Sequence, residues 1–329
     1  MTTLLATVRL NDGERQVLER AATHHPVVYF HELKGSPDEV LPEVEVLLCA
    51  GLRDFTPSMM RRMTSLRLVQ TLLAGADHIA YELFRRDMVV CTTSGAGSHH
   101  VAEHAFALLI AAAKNLVSHT LSIREGRFDR SPRNLPLKGM TLGIVGFGNV
   151  GRIVGSLGRA SGMRIHAINH SGETQEPVEF IGTLKDLSHL LRNVDYLVIC
   201  LPLTGSTEGL IGQEELQAMK QAAVLVNVGR ARVVQEEALY RHLKANPHFR
   251  GAFDVWWTYP SGEMGRPFNL PFHELRNFIM TPHVGGNVSG HRKEMMRFAI
   301  ENIGNYFMDK PLSNRIEEED FPPEAVMEG

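Results

Sequence analysis

Arg230 and His283 stand far apart in the chain, and their side chains suit holding a carboxylate and moving a proton. Arginine grips a carboxylate with two parallel hydrogen bonds. Histidine titrates near neutrality and serves as a general acid or base. Each follows a short apolar run. Val224 to Asn227 leads into Val228-Gly229-Arg230, and Phe278 to Thr281 leads into Pro282-His283-Val284-Gly285-Gly286. A third stretch, Leu142 to Gly151, reads as an apolar strand entering a Gly-x-Gly-x-x-Gly turn, with a helix from Arg152 to Ser161 after it. Gly146 permits the tight turn, Gly148 lets backbone approach a pyrophosphate, and Gly151 lets the helix pack on the strand. The first N–H groups of that helix, around Asn149 and Val150, have no internal partners and favour an anion.

The elements that must position these groups read as alternating strands and helices. From Met140 onward the expected strands are Thr141 to Val145, Arg164 to Ile168, Tyr196 to Cys200, Val224 to Asn227, Gly251 to Asp254 and Phe278 to Thr281. Near-continuous apolar strands with helices between them mean a parallel sheet covered on both faces. Ligands bind such sheets beyond the carboxyl ends of the strands. Before residue 115, Leu4 to Val8, Val27 to Phe30, Val44 to Cys49, Leu66 to Thr71 and Val89 to Cys91 are further apolar runs, with helices over Gly13 to Ala22 and Ser58 to Met63. The helix Ser98 to Val117 has a wide apolar face and is expected to be buried against a second domain or subunit, linking two lobes. Arg124 to Lys138, charged and proline-bearing, reads as an irregular arm. A packing helix follows from Val288 to Tyr306, and then a solvated acidic tail from Glu317.

The residues just past each strand carry the remaining information. After Ile168 comes Asn169-His170-Ser171, where an NAD-type site usually has an acid, about 20 residues past the glycines, for the ribose 2′-OH. Without a carboxylate to repel a 2′-phosphate, NADP(H) is slightly favoured, although an asparagine amide also suits the ribose of NAD. Leu201-Pro202-Leu203-Thr204 suits a rigid turn over the adenosine half of a cofactor or an ordinary loop, and Thr207 is placed with it on the cofactor side. Val228, Gly229, Asp254 and Gly285 are also cofactor candidates, at the ends of their strands. Ala74-Gly75-Ala76 either holds a carboxylate on free N–H groups or is a plain loop.

Composition excludes several classes. The 329 residues suffice for two domains, and a net charge of -3 gives no basic field for nucleic acid or anionic lipid. The longest apolar run, Ala105 to Ala113, is too short to span a bilayer, and Met1 to Leu10 lacks a signal-peptide layout. Cys49, Cys91 and Cys200 are scattered in apolar segments, with no metal or disulfide spacing. A cytoplasmic protein with no bound metal and no membrane or nucleic-acid partner is expected.

The pattern resembles the D-isomer-specific 2-hydroxyacid dehydrogenase family from about Leu66 to Leu312. The matching blocks are Ala74 to Ile79, Val101-Ala102-Glu103-His104, Gly146 to Gly151, Leu201 to Thr204, Asn227 to Arg230, Asp254-Val255 and Thr281-Pro282-His283. The resemblance implies an α/β fold of two lobes. A Rossmann-type doubly wound parallel sheet (116–298) is inserted into a smaller flavodoxin-like substrate lobe (1–115 plus 299–329). It also implies a homodimer joined through the cofactor lobe and its arm. Arg230 would hold the substrate carboxylate and polarise its carbonyl, helped by backbone near Ala74, Gly75 and Ala76. His283 would supply the proton, and Asp254 would touch the nicotinamide end. The implied activity is NAD(P)H-dependent interconversion of a small 2-oxo acid and its (R)-2-hydroxy acid. A dinucleotide-sensing, corepressor-like protein on the same scaffold is the alternative, and an adenosylmethionine enzyme a weaker one, opposed by Arg230 and His283.

One departure stands out. The family usually has glutamate five residues past the aspartate, where this chain has Tyr259. Either Tyr259 or Glu263 is expected to partner His283, and reduction is expected to need a lower pH than in glutamate-bearing relatives. Formate is disfavoured as substrate, because Gly95 and Gly97 do not match the asparagine of formate enzymes. Trp256 and Trp257 either line the substrate cleft or pack beneath the strand end.

Overall fold

The computed structural model describes residues 3–51, 56–75, 85, 87–262 and 264–316. Ala76 to Ile79, Glu263 and the acidic tail, all named above, lie outside the described residues. The chain divides into two compact units, Met1–Gly97 with Ser289–Gly329, and Ser98–Val288.

The first unit is built on a five-stranded sheet: β1 (Thr3–Ala6), β2 (Val27–Tyr29), β3 (Val44–Cys49), β4 (Leu68–Thr71) and β5 (Val89–Cys91). Its order is β2-β1-β3-β4-β5, every neighbour parallel. This is the flavodoxin-like 2-1-3-4-5 order. Leu4, Val46 and Leu68 point into one core, and Leu5, Leu47 and Val69 into another, as the twofold alternation of strands requires. Helix α1 (Asp12–Ala21) starts at a reciprocal capping box between Asn11 and Glu14. Helix α2 (Pro57–Arg62) follows β3.

The second unit opens with α3 (Ser98–Ala113) and α4 (Leu116–Arg124). Its seven-stranded sheet contains β6 (Thr141–Val145), β7 (Arg164–Ile168), β8 (Phe180–Gly182), β9 (Tyr196–Ile199), β10 (Val224–Asn227), β11 (Arg250–Phe253) and β12 (Phe278–Met280). The order is β12-β11-β10-β9-β6-β7-β8, again wholly parallel. Its first six strands follow the doubly wound 3-2-1-4-5-6 pattern, whose order reverses between β6 and β9. Between the strands lie α5 (Asn149–Ala160), α6 (Leu187–Asn193), α7 (Gln213–Ala218) and α8 (Glu236–Ala245). The last helix, α9 (His291–Phe307), belongs to the first unit, where Met296, Ala299, Ile300 and Ile303 enter the core with Leu4 and Leu68.

Two expectations need correction. The unit boundaries fall at 97/98 and 288/289, not at 115/116 and 298/299. The physical reason is α3, whose Ala102, Ala105, Leu109 and Ala112 are buried in the core of the second unit with Ile144, Val154, Val226 and Ala252. The helix also ends at Ala113 instead of Val117. Asn115 takes the left-handed conformation (φ 50, ψ 32), and α4 departs from α3 at 59°. Asparagine tolerates that region, and its amide bonds Arg133 O and Asn134 Oδ1 in the irregular arm beyond α4. No single helix among the described residues is long and apolar enough to cross a membrane.

Candidate active site

At the end of β6 the chain must turn beside β9. Gly146 has φ +99, and a Cβ there would lie 2.8 Å from the carbonyl of Cys200. The turn is tied to β7 by the N–H groups of Gly146 and Phe147, which both donate to Ile168 O at 3.0 and 2.9 Å. A Cβ at Gly151 would collide with Gly146 O, so the helix packs against the turn only without a side chain there. Gly148 is different. It is exposed, its φ of -96 suits any residue, and a Cβ would meet nothing within 4 Å. No neighbouring atom requires glycine at this position, whereas an approaching phosphate would. Gly148 is also the N-cap of α5 and supplies no side-chain cap. The N–H groups of Asn149, Val150 and Gly151 therefore begin a twelve-residue helix with its positive end uncapped by a side chain. These features fit a dinucleotide pyrophosphate.

Beyond β7, Asn169 is spent on its own loop. Its Oδ1 accepts from Gly172 N at 2.7 Å and its Nδ2 donates to Glu173 O at 2.8 Å. The amide expected to meet a ribose also shapes this turn, and His170 and Ser171 are exposed on it. Beyond β9, Leu201 is half-buried and Pro202 exposed. Thr207, expected on the cofactor side, is tied into its own turn. It is only 5% exposed, its Oγ1 donates to Pro202 O at 2.8 Å, and it accepts from Thr204 N at 2.8 Å. It braces the turn.

Beyond β10 a similar device aims the arginine. Asn227, fully buried, accepts from Gly229 N and donates to Arg230 O, both at 3.0 Å. Gly229 passes so close to Leu201 that any Cβ would strike its carbonyl oxygen. Val228 is buried before it, and the half-buried Arg230 lays its Nη1 on Gly229 O at 2.9 Å. The carboxyl ends of β6, β9 and β10 are thus in direct contact through glycines.

The ends of β11 and β12 form the second half of this edge. His283 is exposed and sits at φ 57, in the left-handed region that a residue with a Cβ enters at a cost of about 1–3 kcal/mol. Such a conformation persists only where the surroundings hold it. Asp254, 2% exposed, supplies the hold. Its Oδ1 accepts from Thr281 Oγ1 at 2.5 Å and Val284 N at 3.0 Å, and its Oδ2 from Gly285 N at 2.8 Å. The carboxylate expected to reach toward a nicotinamide is therefore occupied in fixing the histidine loop on both sides of His283. Tyr259 Oη lies 2.8 Å from His283 Nδ1 and accepts from Trp256 N at 3.3 Å. Of the two expected partners, Tyr259 is in place, and Glu263 lies outside the described residues. Both tryptophans pack. Trp256 is 5% exposed and donates Nε1–H to Thr281 O at 2.9 Å, while Trp257 stacks on Phe272 and donates to Val234 O at 2.8 Å. Asn227, Thr281 and His104 were legible only as members of family blocks, since their work is to bond other loops. Ala74 and Gly75 belong to the first unit, on the loop following β4.

Desolvation pushes the thiol of the half-buried Cys200, directly after β9, up to about 12, and that of the buried Cys91 up to about 11. Both shifts disfavour the reactive thiolate.

Comparison with known proteins agrees with this geometry. Residues 106–285 match the model of the D-isomer specific 2-hydroxyacid dehydrogenase NAD binding domain. A hydroxypyruvate reductase of Thermotoga maritima is 30% identical over 276 residues, covering 83% of this chain and 88% of that protein. A glyoxylate reductase of Aeropyrum pernix is 30% identical over 317 residues, covering 92% and 93%. Among solved structures, a glycerate dehydrogenase related protein of Thermoplasma acidophilum superposes with a TM-score of 0.62 at 29% identity, covering 93% of this chain and 99% of that one. Both sequence relatives are named as reductases, so the corepressor-like alternative gains nothing from them. The chain belongs to the D-isomer-specific 2-hydroxyacid dehydrogenase family and is an NAD(P)-dependent oxidoreductase interconverting a 2-oxo acid and its 2-hydroxy acid.

Proposed function

We propose that the protein reduces a 2-oxo acid of two or three carbons, with Arg230 holding the carboxylate and His283 giving the proton to the carbonyl oxygen. The observation that carries this reading is the imidazole at the end of β12, held in a left-handed backbone and bonded at Nδ1 by Tyr259. The relatives named as hydroxypyruvate and glyoxylate reductases support the substrate size. Gly146, Gly148 and Gly151, with the N–H groups of Asn149 and Val150, would hold the dinucleotide pyrophosphate. Leu201 and Pro202 would flank its adenosine half, and Val228, Gly229 and Gly285 would lie along the backbone wall. When bound, the dinucleotide supplies the hydride. The test is a panel of 2-oxo acids with NADH and NADPH. Turnover of glyoxylate or hydroxypyruvate is expected, and failure of every short 2-oxo acid would sink the reading.

NADPH is the proposed preferred cofactor. Asn169 is engaged within its loop, and the exposed groups beside it are His170 and Ser171, which offer hydrogen bonds and no negative charge. His170→Asp is expected to lower the NADPH/NADH ratio of kcat/KM by about tenfold, or about 1.4 kcal/mol. A wild type that strongly prefers NADH would end the idea.

Tyr259 is the proposed orienting partner of His283. A hydroxyl both donates and accepts, so it suits either protonation state of the imidazole, whereas a carboxylate favours the charged one. Reduction needs the protonated histidine, whose fraction falls as pH rises. The wild-type rate is therefore expected to decline on the alkaline side, and Tyr259→Glu to move that limb upward by about 1 unit or more. A wild-type rate flat to about pH 9, well above the ordinary histidine value of about 6.5, contradicts this.

A homodimer is proposed through α4 and the arm. Leu116, Val117, Leu121 and Ile123 are 43–58% exposed and Phe128 is 82% exposed, an apolar stripe that a second copy would cover. Leu121→Asp with Phe128→Asp is expected to give monomers by light scattering. A monomeric wild type overturns the assignment.

A further inference from the structure

We propose that His104, on α3, is a positioning residue for the reaction, acting on His283 through Thr281 and Asp254. The inference rests on the reading of His283 as the proton donor. Its basis is the direction of each hydrogen bond in a part-buried network. Thr281 Oγ1 lies 2.5 Å from Asp254 Oδ1, and a carboxylate has no proton to give, so the single hydroxyl proton of Thr281 goes to Asp254. The threonine oxygen is left as an acceptor. His104 Nε2 lies 3.1 Å from that oxygen and 3.4 Å from Asp254 Oδ1. The ring must therefore carry its proton on Nε2 and donate it into the pair.

The proton-donor role of His104 completes a closed arrangement around the histidine loop. Thr281 precedes His283, and its N–H donates to Phe253 O at 3.0 Å while its carbonyl accepts from Trp256 Nε1. Val284 and Gly285 follow His283 and donate to the two oxygens of Asp254. The loop is gripped on both sides of a residue whose φ of 57 is costly. The carboxylate of Asp254 is 3% exposed and the His104 ring 23%, so the imidazole covers a nearly buried charge. His104 also seats the turn sterically, since a Cβ at Gly285 would come within 3.3 Å of its Cδ2. Without the Nε2 donor, the Thr281 hydroxyl and Asp254 Oδ1 each lose a neighbour, so the pair that grips the histidine loop is less firmly fixed and the imidazole is less precisely placed.

The test compares His104→Leu with His104→Gln, whose amide nitrogen reaches the place of Nε2. Kinetics use the proposed short 2-oxo acid with its preferred cofactor, with His283→Asn as a parallel control. His104→Leu is expected to lower kcat about 10- to 100-fold, the scale of misplacing a reacting group by about 1 Å. KM for the dinucleotide is expected to stay near wild type, and His104→Gln to restore most of kcat. If His104→Leu does not fold, His104→Asn against His104→Gln makes the same comparison, because asparagine is too short to reach Thr281. Gln as impaired as Leu or Asn, or Leu as active as wild type, overturns the proposal. An active His283→Asn would instead remove the reading on which it stands, so the two failures are distinguishable.

Discussion

Replacing His283 with asparagine is expected to lower kcat/KM for reduction by about 10²–10⁴-fold, the usual contribution of a positioned general acid. Asparagine is the informative choice. His283 sits at φ 57, and asparagine enters that region more readily than alanine. The bonds of Val284 and Gly285 to Asp254 involve only main-chain N–H groups, so they survive the substitution. The loop keeps its shape while the imidazole is lost. The measurement is steady-state reduction across pH, beside a dinucleotide titration by fluorescence. Activity is expected to collapse with its alkaline limb abolished, and dinucleotide affinity to stay close to wild type. His283→Asn retaining a tenth or more of the wild-type rate would mean that the proton comes from elsewhere.

Arg230→Lys and Arg230→Ala should both raise KM for the oxo acid and lower kcat, with kcat/KM falling about 10²–10³-fold, or about 3–4 kcal/mol. Lysine is not expected to rescue, because a point charge cannot make the paired, planar contact of a guanidinium with a carboxylate. The backbone beneath Arg230 is set by Asn227, whose side chain bonds Gly229 N and Arg230 O, and it does not depend on the guanidinium. Melting temperatures of both variants are therefore expected to stay near that of the wild type. A carboxylate-lacking aldehyde supplies the control: its slow reduction should be nearly indifferent to the substitution. Equal losses for acid and aldehyde would show that Arg230 acts on the fold or the dinucleotide and not on the carboxylate.

The strands of the second unit were legible because they are buried on both faces. Thr141–Val145, Arg164–Ile168 and Val224–Asn227 match the apolar runs residue for residue. β8 was not read, since Phe180-Ile181-Gly182 is a three-residue edge strand with a glycine, below what alternation can signal. The break at Asn115 was hidden for another reason. Its left-handed turn is held by bonds to Arg133 and Asn134, which lie next to it only after folding. Glycines announced the site, because the constraints at Gly146 and Gly151 are local. The uses of Thr207 and Asn169 did not show, because a polar side chain past a strand end serves a ligand or its own turn with the same residue type. Tyr259 was legible by its distance from Asp254 along the chain, and its bond to His283 is in the described structure.

The first unit is completed by residues that come late in the polypeptide. Asn302 on α9 donates to Gln70 Oε1 at 2.7 Å, Thr92 N donates to Asn314 O at 3.1 Å, and Ile316 N donates to Val90 O at 2.9 Å. The second unit, Ser98–Val288, is one uninterrupted segment. On a ribosome, the domain begun first is therefore finished last. Its early strands must wait, with Leu4, Val46 and Leu68 uncovered, while the whole dinucleotide domain is translated and folds. Nascent chains stalled before His291 are expected to present that apolar face to chaperones, and those released after Ile316 to lose it.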